Sequence, residues 1–178
     1  MENISVLFNK EEGQIYSSIG FRFQPTDEEL LTHFLYKKTN NANFSHIAIT
    51  EVVIQEFEAW DLPWLAKMGD YEWYFFCQRI SRNQDGSKAN RATEDGYWKS
   101  TGNDANINDR EGNLIGKKKT LVFYMGGPPT GVKTDYVMHE YRLAGDSSKP
   151  GENEWVICRV FEKTSERQKT HLYDLLRF

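Results

Sequence analysis

The sequence is poor in the residues that carry covalent or metal chemistry. Cys77 and Cys158 are the two cysteines in 178 residues, and the four histidines are scattered. Two thiols can neither staple a small secreted scaffold nor complete a four-ligand zinc site. The default compartment is therefore a reducing one, cytosol or nucleus, where the sequons at Asn3 and Asn43 carry no meaning. No run approaches the roughly 20 apolar residues that cross a bilayer. Residues 1–16 lack a basic segment followed by an apolar one, so they do not read as a secretory signal. Internal repeats and low-complexity tracts are missing as well.

Catalytic motifs are equally scarce. His139-Glu140 opens like a zinc-protease helix, but Leu143 stands where the second histidine belongs, and the segment reads as a strand. Gly126 to Thr134 is the nearest approach to a phosphate loop. Val132 separates Gly131 from Lys133, and Pro128 and Pro129 lack the amides a phosphate needs, so a hairpin loop fits better. There is no Gly-x-Ser-x-Gly elbow. These absences predict a protein that is not an enzyme, with no catalytic residues, metal, cofactor, small-molecule substrate or membrane partner.

What is present is a core and an uneven charge. Hydrophobic residues make up 39% and aromatics 14%, enough for a folded domain of this length and too much for a disordered chain. The net charge is -4, yet residues 79–133 alone carry +4 and the remainder -8. A mildly basic middle in an acidic chain is either a solvated face or the footprint of a polyanion.

The chain divides into a polar arm at residues 1–16, a domain at 17–163 and a short charged tail at 164–178. Thr26 and Glu29 have capping-box spacing, and Leu30, Leu31, Phe34 and Leu35 supply an apolar stripe. Asp27 and Glu28 suit the positive end of that helix, Lys37 and Lys38 its negative end. A second helix is expected from about Thr50 to Trp60, capped by Thr50 and stopped before Pro63. Beyond Gly69 the residues at 71–80, 96–100, 118–125, 136–143 and 155–161 read as strands, separated by turn-rich links. The expected fold is α+β, a twisted antiparallel sheet packed with a few short helices. In the tail, Leu172, Leu175 and Leu176 form either a frayed end or a short docking helix.

One segment departs from ordinary strand patterning. From Gly96 to Asp104 the chain begins with Tyr97 and Trp98 and then turns small and polar. The two aromatics suit core packing; the polar end is either an exposed turn or an edge able to enter the roughly 12 Å major groove of DNA. There Lys99 can reach guanine acceptors or a phosphate, and Asn103 can read adenine. Arg79, Arg82, Lys88 and Arg91 before it, and Lys117, Lys118, Lys119 and Lys133 after it, suit phosphates.

Seven stretches then fall in a familiar order: Gly20 to Leu30 (GFRFQPTDEEL), Trp60 to Pro63 (WDLP), Glu72 to Phe76 (EWYFF), Gly96 to Gly102 (GYWKSTG), Lys118 to Tyr124 (KKTLVFY), Met138 to Leu143 (MHEYRL) and Trp155 to Phe161 (WVICRVF). They resemble the successive subdomains of the plant NAC transcription factor domain, across about Ser17 to Lys163. The resemblance implies a dimeric, nuclear, double-stranded DNA-binding domain that favours a CGT-type core. It implies a base-reading edge of Trp98, Lys99, Ser100, Thr101, Gly102, Asn103 and Asp104. It also implies phosphate contacts from Arg79, Arg82, Lys88, Arg91, Lys118, Lys119 and Lys133. The implied dimer interface comprises Ile19, Gly20, Phe21, Arg22, Phe23 and Glu29, with an Arg22–Glu29 salt bridge; the capping box is a competing or simultaneous use of Glu29.

The sequence also departs from the family pattern. Ser17-Ser18-Ile19-Gly20 replaces a Leu-Pro-Pro-Gly lead, Ser81, Ala105, Gly127 and Thr130 are neutral where the family is basic, and Glu94 and Asp95 precede the edge. About 15 residues come after Lys163, where family members carry a long activation region. Weak DNA binding as a lone homodimer is the resulting expectation. The alternative function is a truncated regulator that heterodimerises with full-length relatives and represses them. Lys117-Lys118-Lys119 suits nuclear import, and a 20.8 kDa chain also enters passively.

Overall fold

The computed structural model describes residues 22–78, 91–145 and 154–163. The first helix starts as Asp27–Glu29, passes through a π-helical stretch at Leu30–Leu35 and closes as Tyr36–Asn40. Half of the expected capping box forms: the Glu29 amide donates to the Thr26 hydroxyl at 3.1 Å, without the return bond from the Thr26 amide to the Glu29 carboxylate. Leu30, Leu31, Phe34 and Leu35 are all buried, as their spacing requires.

Among the described residues, seven strands form one sheet: β1 (Ile49–Glu51), β2 (Glu72–Gln78), β3 (Gly96–Ser100), β4 (Ala105–Asn108), β5 (Leu114–Met125), β6 (Val132–Leu143) and β7 (Trp155–Glu162). Their order is β1-β2-β7-β6-β5-β3, with β4 also paired to β5. The fold is α+β. The sheet is mixed rather than wholly antiparallel, because β1 pairs parallel to β2. A crossover rather than a hairpin joins these two strands, which is what parallel pairing demands.

That crossover corrects the second expected helix. Thr50 lies in β1 opposite Phe75 and caps nothing. The chain then makes 3₁₀ turns at Ile54–Glu56 and Ala59–Asp61 and one α-helical turn at Leu62–Leu65. Pro63 therefore sits inside the first turn of a helix instead of ending one. Its missing N–H is one of the donors that have no intrahelical partner there. Consecutive β-branched Val52 and Val53 also disfavour the helix expected across them.

Strand alternation gives the sheet two apolar faces. Tyr74, Phe76, Tyr141, Trp155 and Ile157 pack under the first helix. Trp73, Phe75, Cys77, Trp98, Leu121, Phe123, Met138, Val156, Cys158 and Val160 pack under Ile54, Ala59 and Leu62. The loop at residues 126–131 joins β5 to β6 as a hairpin, and His139 and Glu140 lie on β6, as expected. The N-terminal arm, Ile19, Gly20, Phe21, Arg79, Arg82, Lys88 and the C-terminal tail lie outside the described residues.

Lys38 stands in the last turn of the helix, as expected, and is 1% exposed. Its ammonium donates to the carbonyls of Ala42 (2.6 Å) and Phe44 (2.9 Å) and to Glu51 (2.9 Å), and lies 4.4 Å from the Trp155 ring centroid.

Candidate nucleic-acid interface

The edge of the sheet is built by β3 and the turn that leads from it into β4. On its inner side β3 pairs with β5 from Gly96↔Met125 to Ser100↔Leu121. Gly96 is required there, since a Cβ would lie 2.4 Å from the Phe123 ring and from the Tyr124 carbonyl. On its outer side the first half of β3 is covered: Ala92 bridges Tyr97, and the Trp98 amide donates to the Arg91 carbonyl at 3.0 Å. From Lys99 onward the outer side is open among the described residues.

The Thr101 amide still donates to the Thr120 carbonyl at 2.9 Å. The chain then turns through Gly102, whose φ of +69° an L side chain would strain. It rejoins β5 as β4, with Ala105 opposite Lys118. Lys99, Ser100, Thr101, Gly102 and Asn103 are all exposed. They form one short, small-residue ridge between two paired segments.

Tyr97 and Trp98 hold that ridge from below. Tyr97 stacks on Tyr124 with centroids 5.3 Å apart, and Trp98 meets Phe123 edge-on at 5.1 Å. Trp98, expected among the base-reading residues, is 5% exposed. Its side chain belongs to the core, so it anchors the ridge and offers nothing to a base. Lys99 extends outward, its ammonium 5.6 Å from the Tyr124 centroid.

Asp104 closes the ridge. It accepts from Arg142 at 2.5 Å and lies 3.7 Å from Lys119. Burial pushes its carboxyl up, but Arg142, Lys119 and Lys117 outweigh that and hold it below the usual carboxylate range. Asp104 is therefore a local counter-charge.

The lysine run on β5 is split by the pleat. Lys117 and Lys119 share a face with Leu121, while Lys118 points to the face under the first helix. Lys118 donates to Asp27 at 3.1 Å, and Tyr141 donates to the other oxygen of that carboxylate at 2.8 Å. Its position suits holding helix to sheet better than holding a phosphate. Lys133 is exposed on β6, in register with Tyr124. Arg91 lies 3.6 Å from Glu140.

The residues assigned to a dimer interface are less gathered. Arg22 and Glu29 are both exposed near the start of the first helix. Phe23 is half-buried against Phe34 (5.4 Å) and Tyr74 (5.0 Å) of its own chain. Among the described residues, no three His, Cys, Asp or Glu side chains converge to hold a metal.

Residues 18–143 match the family described as No apical meristem (NAM) protein. The chain belongs to the NAM (NAC) domain family. NAC domain-containing protein 100 of Arabidopsis thaliana is 54% identical over 175 residues, covering 96% of this chain and 52% of the relative. NAC domain-containing protein 4 of Oryza sativa subsp. japonica is 53% identical over 156 residues, covering 82% and 45%. Protein CUP-SHAPED COTYLEDON 3 of Arabidopsis thaliana is 48% identical over 172 residues, covering 95% and 52%. The chain spans about half the length of these curated relatives.

Within this NAC domain the family motifs fall on working parts of the fold. GYWKSTG is β3 with its open end, KKTLVFY lies on β5, MHEYRL on β6 and WVICRVF on β7. Sequence reasoning missed Glu58, which is 8% exposed. Its carboxylate accepts from the Thr93 hydroxyl at 2.5 Å and the Asp95 amide at 3.0 Å. One local signal was present: Asp61, three residues on, accepts from the Glu58 amide at 3.2 Å, a capping box around a 3₁₀ turn.

Proposed function

We propose that this NAC domain regulates transcription in the nucleus by reading double-stranded DNA as a dimer. The observation that carries the reading is the ridge from Lys99 to Asn103: exposed, polar, open on its outer side and braced by a paired sheet. A narrow β edge of this kind suits the major groove. Lys99 reaches guanine O6 and N7 of a CGT-type core, Asn103 offers a bidentate amide to adenine, and Ser100 and Thr101 add hydroxyls. Phosphate contacts come from Lys119 and Lys133, with Lys117 beside Lys119 on β5, and from Arg79, Arg82, Lys88 and Arg91. Lys118 contributes only by giving up Asp27. Two-fold pairing through Ile19 to Phe23, with Arg22 of one protomer against Glu29 of the other, presents two ridges to two half-sites. Exchanging those charges (Arg22→Glu with Glu29→Arg) restores a dimer that either single change breaks.

A second reading is favoured by the acids around the ridge. Glu94 and Asp95 are exposed just before it, and Asp104 occupies Lys119 and Arg142. On that reading the chain heterodimerises with related NAC proteins and binds DNA weakly by itself, repressing its partners.

A salt titration on a CGT-core palindrome and a scrambled duplex separates the two. Preference for the palindrome, with log affinity falling steeply with log salt, supports a DNA reader. No preference at any salt overturns it in favour of the partner role.

A further inference from the structure

Two buried carboxylates converge on the short hairpin that feeds the ridge. Residues 91–98 fold back on themselves: the Thr93 amide donates to the Gly96 carbonyl at 2.8 Å, and the Trp98 amide donates to the Arg91 carbonyl at 3.0 Å. Glu58, from the crossover between β1 and β2, holds the turn of this hairpin. One oxygen takes the Thr93 hydroxyl, the other the Asp95 amide. The Thr93 hydroxyl oxygen in turn accepts the Gly96 amide at 3.1 Å. Glu140, from β6 and 7% exposed, holds the first limb through Arg91. The two carboxylates reach the hairpin from separate elements. Neither is on the ridge, and the ridge begins one residue past Trp98, where the hairpin ends.

We propose that Glu58 and Glu140 are positioning residues for base reading, acting through Thr93 and Arg91 to fix the height and angle at which Lys99 to Asn103 leave the sheet. The proposal rests on the DNA-reading function proposed for the ridge. Base-edge hydrogen bonds tolerate little displacement, whereas phosphate attraction is long-ranged and undemanding of geometry. A loosened hairpin therefore loses discrimination first and non-specific affinity last. Arg91, on this account, acts on the ridge from beneath even where it also meets a phosphate.

The test uses the whole chain with four variants: Glu58→Gln, Glu140→Gln, Thr93→Val and Thr93→Ser. Affinity for the CGT palindrome and for the scrambled duplex is measured across salt, with urea unfolding alongside. Glu58→Gln, Glu140→Gln and Thr93→Val are expected to lower the palindrome-to-scrambled ratio by about tenfold, the equivalent of one good base contact. Scrambled affinity and salt slope stay at their wild-type values in Glu58→Gln and Thr93→Val, while Glu140→Gln, which frees Arg91 for a phosphate, steepens the slope by up to about 0.9. Thr93→Ser keeps the hydroxyl and keeps the ratio. A wild-type ratio in Glu58→Gln and Thr93→Val overturns the proposal, as does an equal loss on both duplexes. If Glu58→Gln does not fold, the Thr93 pair decides, because only serine retains the hydroxyl there. A wild-type chain with no palindrome preference overturns the DNA reading itself, a result distinct from wild-type preference shared by every variant.

Discussion

The fold treats its lysines in opposite ways in two regions. At and beneath the first helix, Lys38 is enclosed, with three oxygen partners and an aromatic face, and Lys118 is tied to Asp27. On the edge strand β3, Lys99 stands on an open ridge with only the Tyr124 ring nearby among its described contacts. The same side chain is structural where its charge is satisfied internally and available where it is not. A count of basic residues along the chain cannot separate the two, since what matters is how many partners each one already has.

The sharpest break of this contrast is at Lys38. Truncation by Lys38→Ala leaves two carbonyls and Glu51 without their donor and opens a gap beside Trp155. It is expected to destabilise folding by about 3 kcal/mol. Urea unfolding measures the loss, and the remaining folded protein keeps its duplex preference. Lys99→Ala is the converse. Unfolding stays unchanged, while binding to the preferred duplex weakens by roughly 1–3 kcal/mol and discrimination relaxes. Equal weakening on scrambled DNA would reduce Lys99 to a phosphate contact.

Asp104→Asn sharpens the comparison by moving Lys119 and Arg142 from the satisfied class toward the available one. Affinity for both duplexes rises, and the salt slope steepens by about 0.9 for each cation released to a phosphate. An unchanged slope keeps both cations out of the interface.

The effect that is smallest near neutral pH lies beneath the helix, at His139. Burial first, then the charges of Lys118 and Arg159, lower its imidazole from the usual 6.5 to about 4, against the opposing pull of Asp27 and Glu72. Between those two values the unfolded chain binds a proton that the folded chain refuses. Stability therefore falls as pH drops through that window. His139→Phe is expected to flatten that part of the pH–stability curve. Unfolding midpoints between pH 4 and pH 7 measure it, and an unaltered curve assigns the fall to other groups such as His33 and His46, whose imidazoles are also lowered by burial.

Local signals in the sequence located the elements that local physics decides. Thr26 announces its helix, and β3 keeps its bounds because Gly96, Tyr97 and Trp98 leave little choice before the polar turn. The aromatic run at 72–76 and the loop at 126–131 were legible for the same reason. Long-range partners were not. Thr50 resembles a helix cap until β2 arrives beside it, and Pro63 can stop a helix or start one. Lys38 is buried by carbonyls and a carboxylate that fold around it later in the chain. The site shows the same division: the ridge was visible as a break in pattern, but Glu58 lies 35 residues from the threonine it holds. The pleat that turns Lys118 away from Lys117 and Lys119 is invisible in a run of three identical letters.

The open outer side of β3 also bears on how the protein keeps company with itself. Unpaired strand edges are templates on which other chains can add strands. Here the open stretch is short, carries a lysine, and is cut off by a glycine turn within three residues of Lys99. Such an edge has too few aligned donors and acceptors to seed a continuous ladder. The features that would leave the ridge free for a nucleic acid, on the reading proposed above, therefore also make this edge a poor template for strand addition.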